Sequence, residues 1–136
     1  MSGVTAGPRR SWLFTPGTRP DRFARAAEAG ADVLIVDLED AVAPAAKPRA
    51  RADALAFLAG EKRAGVATAL RINALRTPEG LADLAALLAA PGQPDYLLVP
   101  KAEAADDLGL ALQLRFGAIS GLVRRHGSEV TDGGRR

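Results

Sequence analysis

Arg71, Lys101 and the acids Asp37, Glu39 and Asp40 are the side chains whose type and spacing can do chemistry in this sequence. Each closes or follows an apolar run. SWLFT (11–15) leads into Pro16-Gly17-Thr18, and ADVLIV (31–36) leads into Asp37-Leu38-Glu39-Asp40. Arg71 ends the run that leads into Ile72-Asn73, and YLLV (96–99) leads into Pro100-Lys101-Ala102-Glu103. The planar fork of an Arg grips a carboxylate bidentately, which a Lys cannot do. A buried Arg without an anion is costly, so Arg71 calls for a ligand carboxylate, an internal partner such as Glu39 or Asp37, or both. On a strand Asp37 and Glu39 share a face, with Leu38 opposite. Acids so close raise one another's pKa unless a cation stands nearby. That cation is a metal, a metal reached through water, or Arg71; failing these, the pair anchors its loop and caps the next helix. Lys101 suits charge pairing with Glu103 or a ligand, whereas Schiff-base chemistry would require it buried with a lowered pKa. Pro16-Gly17-Thr18 is either a tight turn or the lip of an anion-holding helix N-terminus.

The elements that must position these residues repeat as strand and helix. Strands are expected at 11–15, 31–36, 66–72 and 96–99, each closed by turn or polar residues. The continuous run at 31–36 suits a strand buried on both faces, as parallel sheets are. Thr18 is the expected cap of a first helix carrying Phe23, Ala26 and Ala27, with Gly30 its stop. Residues 41–46 form a loop. A second helix spans about 47–59, with Ala50, Ala54, Phe57 and Leu58 on one face. Thr77 caps a third helix with Pro78 at its first position and Leu81, Leu84, Leu87 and Leu88 as its apolar stripe. A helical signal runs from Ala104 to about Leu114, and Ile119–Val123 is a weak strand. In a parallel α/β fold the carboxyl ends of the strands share one rim, where ligands bind.

The 136 residues suit one domain, whereas a complete (β/α)8 barrel needs roughly 250. The expected fold is therefore α/β, four parallel βα units plus an irregular C-terminal tail. Residues 1–10 read as a flexible leader, 11–115 as the partial barrel and 116–136 as a poorly ordered tail. The chain lacks Cys, which excludes disulfides and thiolate metal sites. Its net charge of +2 comes largely from Arg near both ends, without interleaved aromatics, so nucleic acid is not an expected partner. No apolar run approaches the roughly 20 residues that span a membrane, and a cytoplasmic location is expected. His126, the sole histidine, can build no metal pair or triad and is expected to face solvent. Trp12 is expected to pack in the core or at an interface. Open sheet edges and an uncovered apolar face make a homo-oligomer possible.

Four stretches, SWLFTPGTRPDRFARA (11–26), GADVLIVDLEDAVAP (30–44), LRINALRTPEGLADL (70–84) and YLLVPKAEAADDL (96–108), together resemble the HpcH/HpaI aldolase and citrate lyase beta-subunit family, nearest its CoA-ester lyase branch. The resemblance implies a (β/α)8 barrel that uses Mg2+ to cleave or form a carbon–carbon bond beside a carbonyl, and it makes the four units of this chain the N-terminal half of a (β/α)8 TIM barrel. The implied substrate is a carboxylate-bearing acyl thioester or a 2-oxo acid. It assigns Arg71 to the substrate carboxylate, with Asp37, Glu39, Asp40 and Lys101 shaping the pocket. The family's metal ligands, a Glu and an Asp from later strands, have no counterpart here, and Glu129 and Asp132 stand in the wrong surroundings. The alternative expectation is a truncated, inactive half-barrel or partner subunit.

Overall fold

The computed structural model describes residues 10–100 and, as backbone strands, 121–125 and 129–132. Six strands form one sheet in sequence order: β1 (Trp12–Pro16), β2 (Val33–Asp37), β3 (Ala67–Arg71), β4 (Tyr96–Pro100), β5 (Gly121–Arg125) and β6 (Glu129–Asp132). β1 to β5 run parallel, and β6 returns antiparallel to β5. The helices are α1 (Phe23–Ala27), α2 (Lys47–Ala59) and α3 (Pro78–Ala89), with 3-10 turns at Pro20–Arg22 and Pro44–Ala46. The architecture is α/β, with parallel strands alternating with helices through β4.

Every residue of β2 is buried, as the uninterrupted apolar run requires. Strand alternation sorts the sheet into two faces. Val36, Leu38, Leu70, Ile72, Leu97 and Val99 pack with Ala50, Ala54 and Leu58 of α2 and Leu84 and Leu87 of α3. Val33, Ile35, Ala67, Ala69 and Leu98 form the opposite layer with the half-buried Trp12 and Tyr96. Those two rings lie 5.3 Å apart, so Trp12 serves packing. Each fully buried large side chain contributes about 1.5–3 kcal/mol.

Thr77 caps α3, its Oγ1 accepting from the Gly80 amide at 3.0 Å, with Pro78 in the first turn. Gly80 is obligatory because a Cβ there would collide with the Ala74 carbonyl. At the far end, Gln93 Nε2 donates to the carbonyls of Leu87 (2.8 Å) and Ala90 (3.2 Å). Gly30 adopts φ +91 just after α1, a conformation suited to a chain stop.

Three expectations are corrected. Thr18 does not cap the first helix; the chain enters it through the 3-10 turn, with Arg19 at the cap position and no side-chain cap bond. Arg19 instead pairs with Asp21 through two bonds of 2.9 and 3.0 Å, tying up the acid of the first turn. Leu81 and Leu88 stand 54% and 44% exposed, so only Leu84 and Leu87 of that stripe reach the core. The loop expected at 41–46 contains a 3-10 turn. Strands β5 and β6 also fall within 116–136, where the sequence suggests an irregular tail with a weak strand at 119–123. Lys101, Glu103, His126 and the helix expected at 104–114 lie outside the described residues. Among the described residues no helix is long and apolar enough to cross a membrane.

Candidate functional site

The ends of β2 and β3 build the site. Asp37 and Arg71 are Cα partners in the parallel ladder, each the last residue of its strand. Alternation turns both away from the helix-packed layer, where Leu38 and Leu70 lie. Arg71 Nε and Nη2 donate to Asp37 Oδ1 and Oδ2 at 2.8 and 2.5 Å, a bidentate pair buried to 6% and 2% exposure. The amide of Glu39 donates to Asp37 Oδ1 at 2.8 Å, and that of Ala41 donates to Oδ2 at 3.2 Å. Glu39 is buried with Oε1 3.7 Å from Arg71 Nε. Asp40 is exposed. From β1, the Phe14 ring lies 4.8 Å from the guanidinium carbon, a cation–π contact.

The electrostatics follow from this packing. Burial opposes ionisation of Asp37. The Arg71 guanidinium and the two amides outweigh it and hold the carboxyl below the usual carboxylate range. The hydrogen bond to Asp37 and the charges of Asp37, Glu39 and Asp40 raise the Arg71 pKa against its burial. An Arg carries five N–H donors in a fork. Asp37 takes the side edge, Nε and one Nη2 proton, so the end-on edge formed by Nη1 and the second Nη2 proton is not engaged by Asp37. The internal ion pair therefore uses one edge of the guanidinium.

The carboxylates do not assemble a metal cage. Both Asp37 oxygens already accept from Arg71 and from backbone amides. Among the described residues no group of three or more His, Cys, Asp or Glu is arranged to hold a metal ion. These residues thus do not fit Mg2+ as its ligand set. The Arg19 amide donates to the Pro16 carbonyl at 3.0 Å, which closes the tight turn after β1, and the Gly17 amide extends the β1–β2 ladder to the Asp37 carbonyl at 2.8 Å.

A second layer of polar residues escapes the sequence reading. Lys47 Nζ donates to the carbonyls of Leu38 and Glu39, each at 3.0 Å, and to Asn73 Oδ1 at 2.5 Å. Asn73 donates its amide and Nδ2 to Asp83 Oδ2 at 2.8 and 2.7 Å. Arg51 Nε donates to Asp83 Oδ1 at 2.7 Å, and Arg51 Nη2 to Glu79 Oε2 at 3.1 Å. A pattern signal exists for these residues. Asp83 interrupts the buried series Gly80, Leu84 and Leu87, and Lys47 and Arg51 fall two turns and one turn before the buried Ala54.

The fold and site define a parallel α/β protein that gathers an arginine and acids at the carboxyl ends of adjacent strands. The chain belongs to the HpcH/HpaI aldolase/citrate lyase family, whose profile matches residues 10–124. It is 39% identical over 104 residues to the L-malyl-CoA/beta-methylmalyl-CoA lyase of Cereibacter sphaeroides, covering 76% of this chain and 33% of that protein. It is 46% identical over 105 residues to a citrate lyase subunit beta-like protein of Mycobacterium tuberculosis, covering 77% and 35%. The solved citrate lyase beta subunit from M. tuberculosis, complexed with oxaloacetate and magnesium, superposes with TM-score 0.63 at 37% identity, covering 85% of this chain and 48% of that one. The chain thus spans about a third of the length of the curated relatives it matches.

Proposed function

We propose that the chain serves a carbon–carbon lyase of the citrate lyase beta or citramalyl-/malyl-CoA lyase type. Its substrate would be a carboxylate-bearing acyl thioester or a 2-oxo acid aldol. The observation that carries this reading is Arg71: one edge of its guanidinium is fixed by Asp37, while Asp37 leaves the other unengaged. Fixing one edge orients the other before any ligand arrives, which lowers the ordering cost of binding. Cleavage beside a carbonyl breaks the C–C bond and leaves its electron pair as an enolate, which needs nearby positive charge. Arg71 holds the ligand carboxylate, Asp37 orients Arg71, and Glu39, Asp40 and Lys101 shape the surrounding charge. The oxaloacetate and magnesium of the solved relative support both the ligand class and Mg2+. The Mg2+ ligands would come from outside the described residues. A cytoplasmic location and assembly as a homo-oligomer belong to the same proposal.

The test is calorimetric titration of the purified chain with oxaloacetate, alongside Mg2+-dependent cleavage of malyl-, citramalyl- and citryl-thioesters. Each charge-assisted bond is worth about 1.5–3 kcal/mol, so losing two in Arg71→Met weakens oxaloacetate binding by about a hundredfold or more. Equal binding by wild type and Arg71→Met would remove Arg71 from the reading. A second reading, an inactive half-barrel or partner subunit, is favoured by β1, an edge strand whose Leu13 and Phe14 are exposed. Oxaloacetate binding without thioester cleavage, in a chain that elutes as a stable assembly, selects that second reading.

A further inference from the structure

We propose that Lys47 is a positioning residue, a cationic latch that joins the loop after β2 to the loop after β3 and so sets the geometry of the Asp37–Arg71 pair. This rests on the reading of Arg71 as the ligand grip. Lys47 touches neither Asp37 nor Arg71. It acts through one peptide group: the Leu38 carbonyl accepts from Lys47 Nζ at 3.0 Å, and the N–H of that same peptide, on Glu39, donates to Asp37 Oδ1 at 2.8 Å. An ammonium on the carbonyl polarises the peptide and strengthens its N–H as a donor. The next carbonyl, on Glu39, also accepts from Nζ at 3.0 Å, which fixes the backbone that carries the Glu39 and Asp40 side chains. The third ammonium donor goes to Asn73 Oδ1, two residues beyond Arg71. An ammonium has three donors and no acceptor, so Lys47 is fully used.

The latch is itself anchored. Asn73 cannot swing to another partner, because its amide and Nδ2 are both held by Asp83 Oδ2. Asp83 is 1% exposed and balanced by Arg51, one helical turn beyond Lys47 on α2. Arg51 of α2 pairs with two carboxylates of α3, Asp83 and Glu79, in the layer behind the site. The order of influence runs from α3 through Asn73 and Lys47 to the Leu38–Glu39 peptide, then to Asp37 and the edge of Arg71 that Asp37 does not engage.

The experiment is amide hydrogen exchange by NMR on the full chain, wild type against Lys47→Met, which keeps the length and removes the donors. Losing one hydrogen bond of about 1–1.5 kcal/mol corresponds to about tenfold, so the amides of Glu39 and Ala41 should exchange about tenfold faster. Amides of 34–36 and 68–70 should keep their rates. Unchanged exchange at Glu39 and Ala41, or equal acceleration throughout the sheet, overturns the proposal in favour of no role or a purely structural one. If Lys47→Met does not fold, the wild type still decides. The Lys47 ammonium protons should exchange at least tenfold more slowly than those of Lys62, whose side chain is 56% exposed; matching rates refute the latch. Oxaloacetate titration separates the two readings. A wild type that binds none removes the ligand role of Arg71 alone, while the exchange rates still judge Lys47.

Discussion

Replacing Arg71 with Met isolates the energetics of the site. Both partners of the Arg71–Asp37 pair are nearly inaccessible, at 6% and 2% side-chain exposure. Removing one member of a buried pair leaves an uncompensated charge and costs about 3–5 kcal/mol, against about 5–15 kcal/mol for the whole stability of a typical domain. The pH dependence gives the sign. Asp37 is held below the ordinary carboxylate range, so its contribution is fully present above about pH 4 and disappears as the pH falls through the depressed folded value. In Arg71→Met, burial faces only the two amides and the carboxyl titrates higher. The deficit of the variant should be largest at neutral pH and shrink towards about pH 3. Urea unfolding followed by circular dichroism at both pH values measures it. Adding Asp37→Leu to Arg71→Met should recover most of the loss, since apolar replacement of a whole buried pair is often neutral. A neutral-pH deficit under about 1 kcal/mol, the scale of an exposed pair, or one independent of pH, would refute the reasoning.

Thr77→Ala removes the bond that Thr77 Oγ1 accepts from the Gly80 amide; it should cost about 0.5–2 kcal/mol by urea titration. Gly80→Ala drives a methyl into the backbone of residues 73 and 74. It should cost about 1–3 kcal/mol or more and also weaken oxaloacetate binding, because the displaced backbone includes Asn73.

The strand ends were legible because parallel strands advertise themselves: β2 is one apolar run that stops at the first charge, Asp37. Alternation then sufficed to place Asp37 on the face opposite Leu38. The Thr77 cap was legible for an equally local reason, a Thr-Pro pair ahead of an apolar stripe. Thr18 precedes a Pro in similar fashion, yet the short first helix is entered through a 3-10 turn in which Arg19 and Asp21 satisfy each other. Leu81 and Leu88 follow the same period as their buried neighbours, but only part of that arc faces the sheet. Asp83 occupies the buried arc because Asn73 and Arg51 supply its donors. No rule of periodicity foretells such a carboxylate, since its partners come from another strand end and another helix.

Because Asp37 and Arg71 stand directly opposite in the β2–β3 ladder, the charges that equip the mouth also discriminate between alignments of the two strands. Sliding one strand by a single residue would flip its side chains to the other face. One of the two ions would then be driven into the aliphatic seam shared with α2 and α3, stripped of its counterion. A misaligned sheet would carry the penalty of an unpaired buried ion at once, whereas the native alignment pairs both, so the same two residues also proofread the chain as it folds.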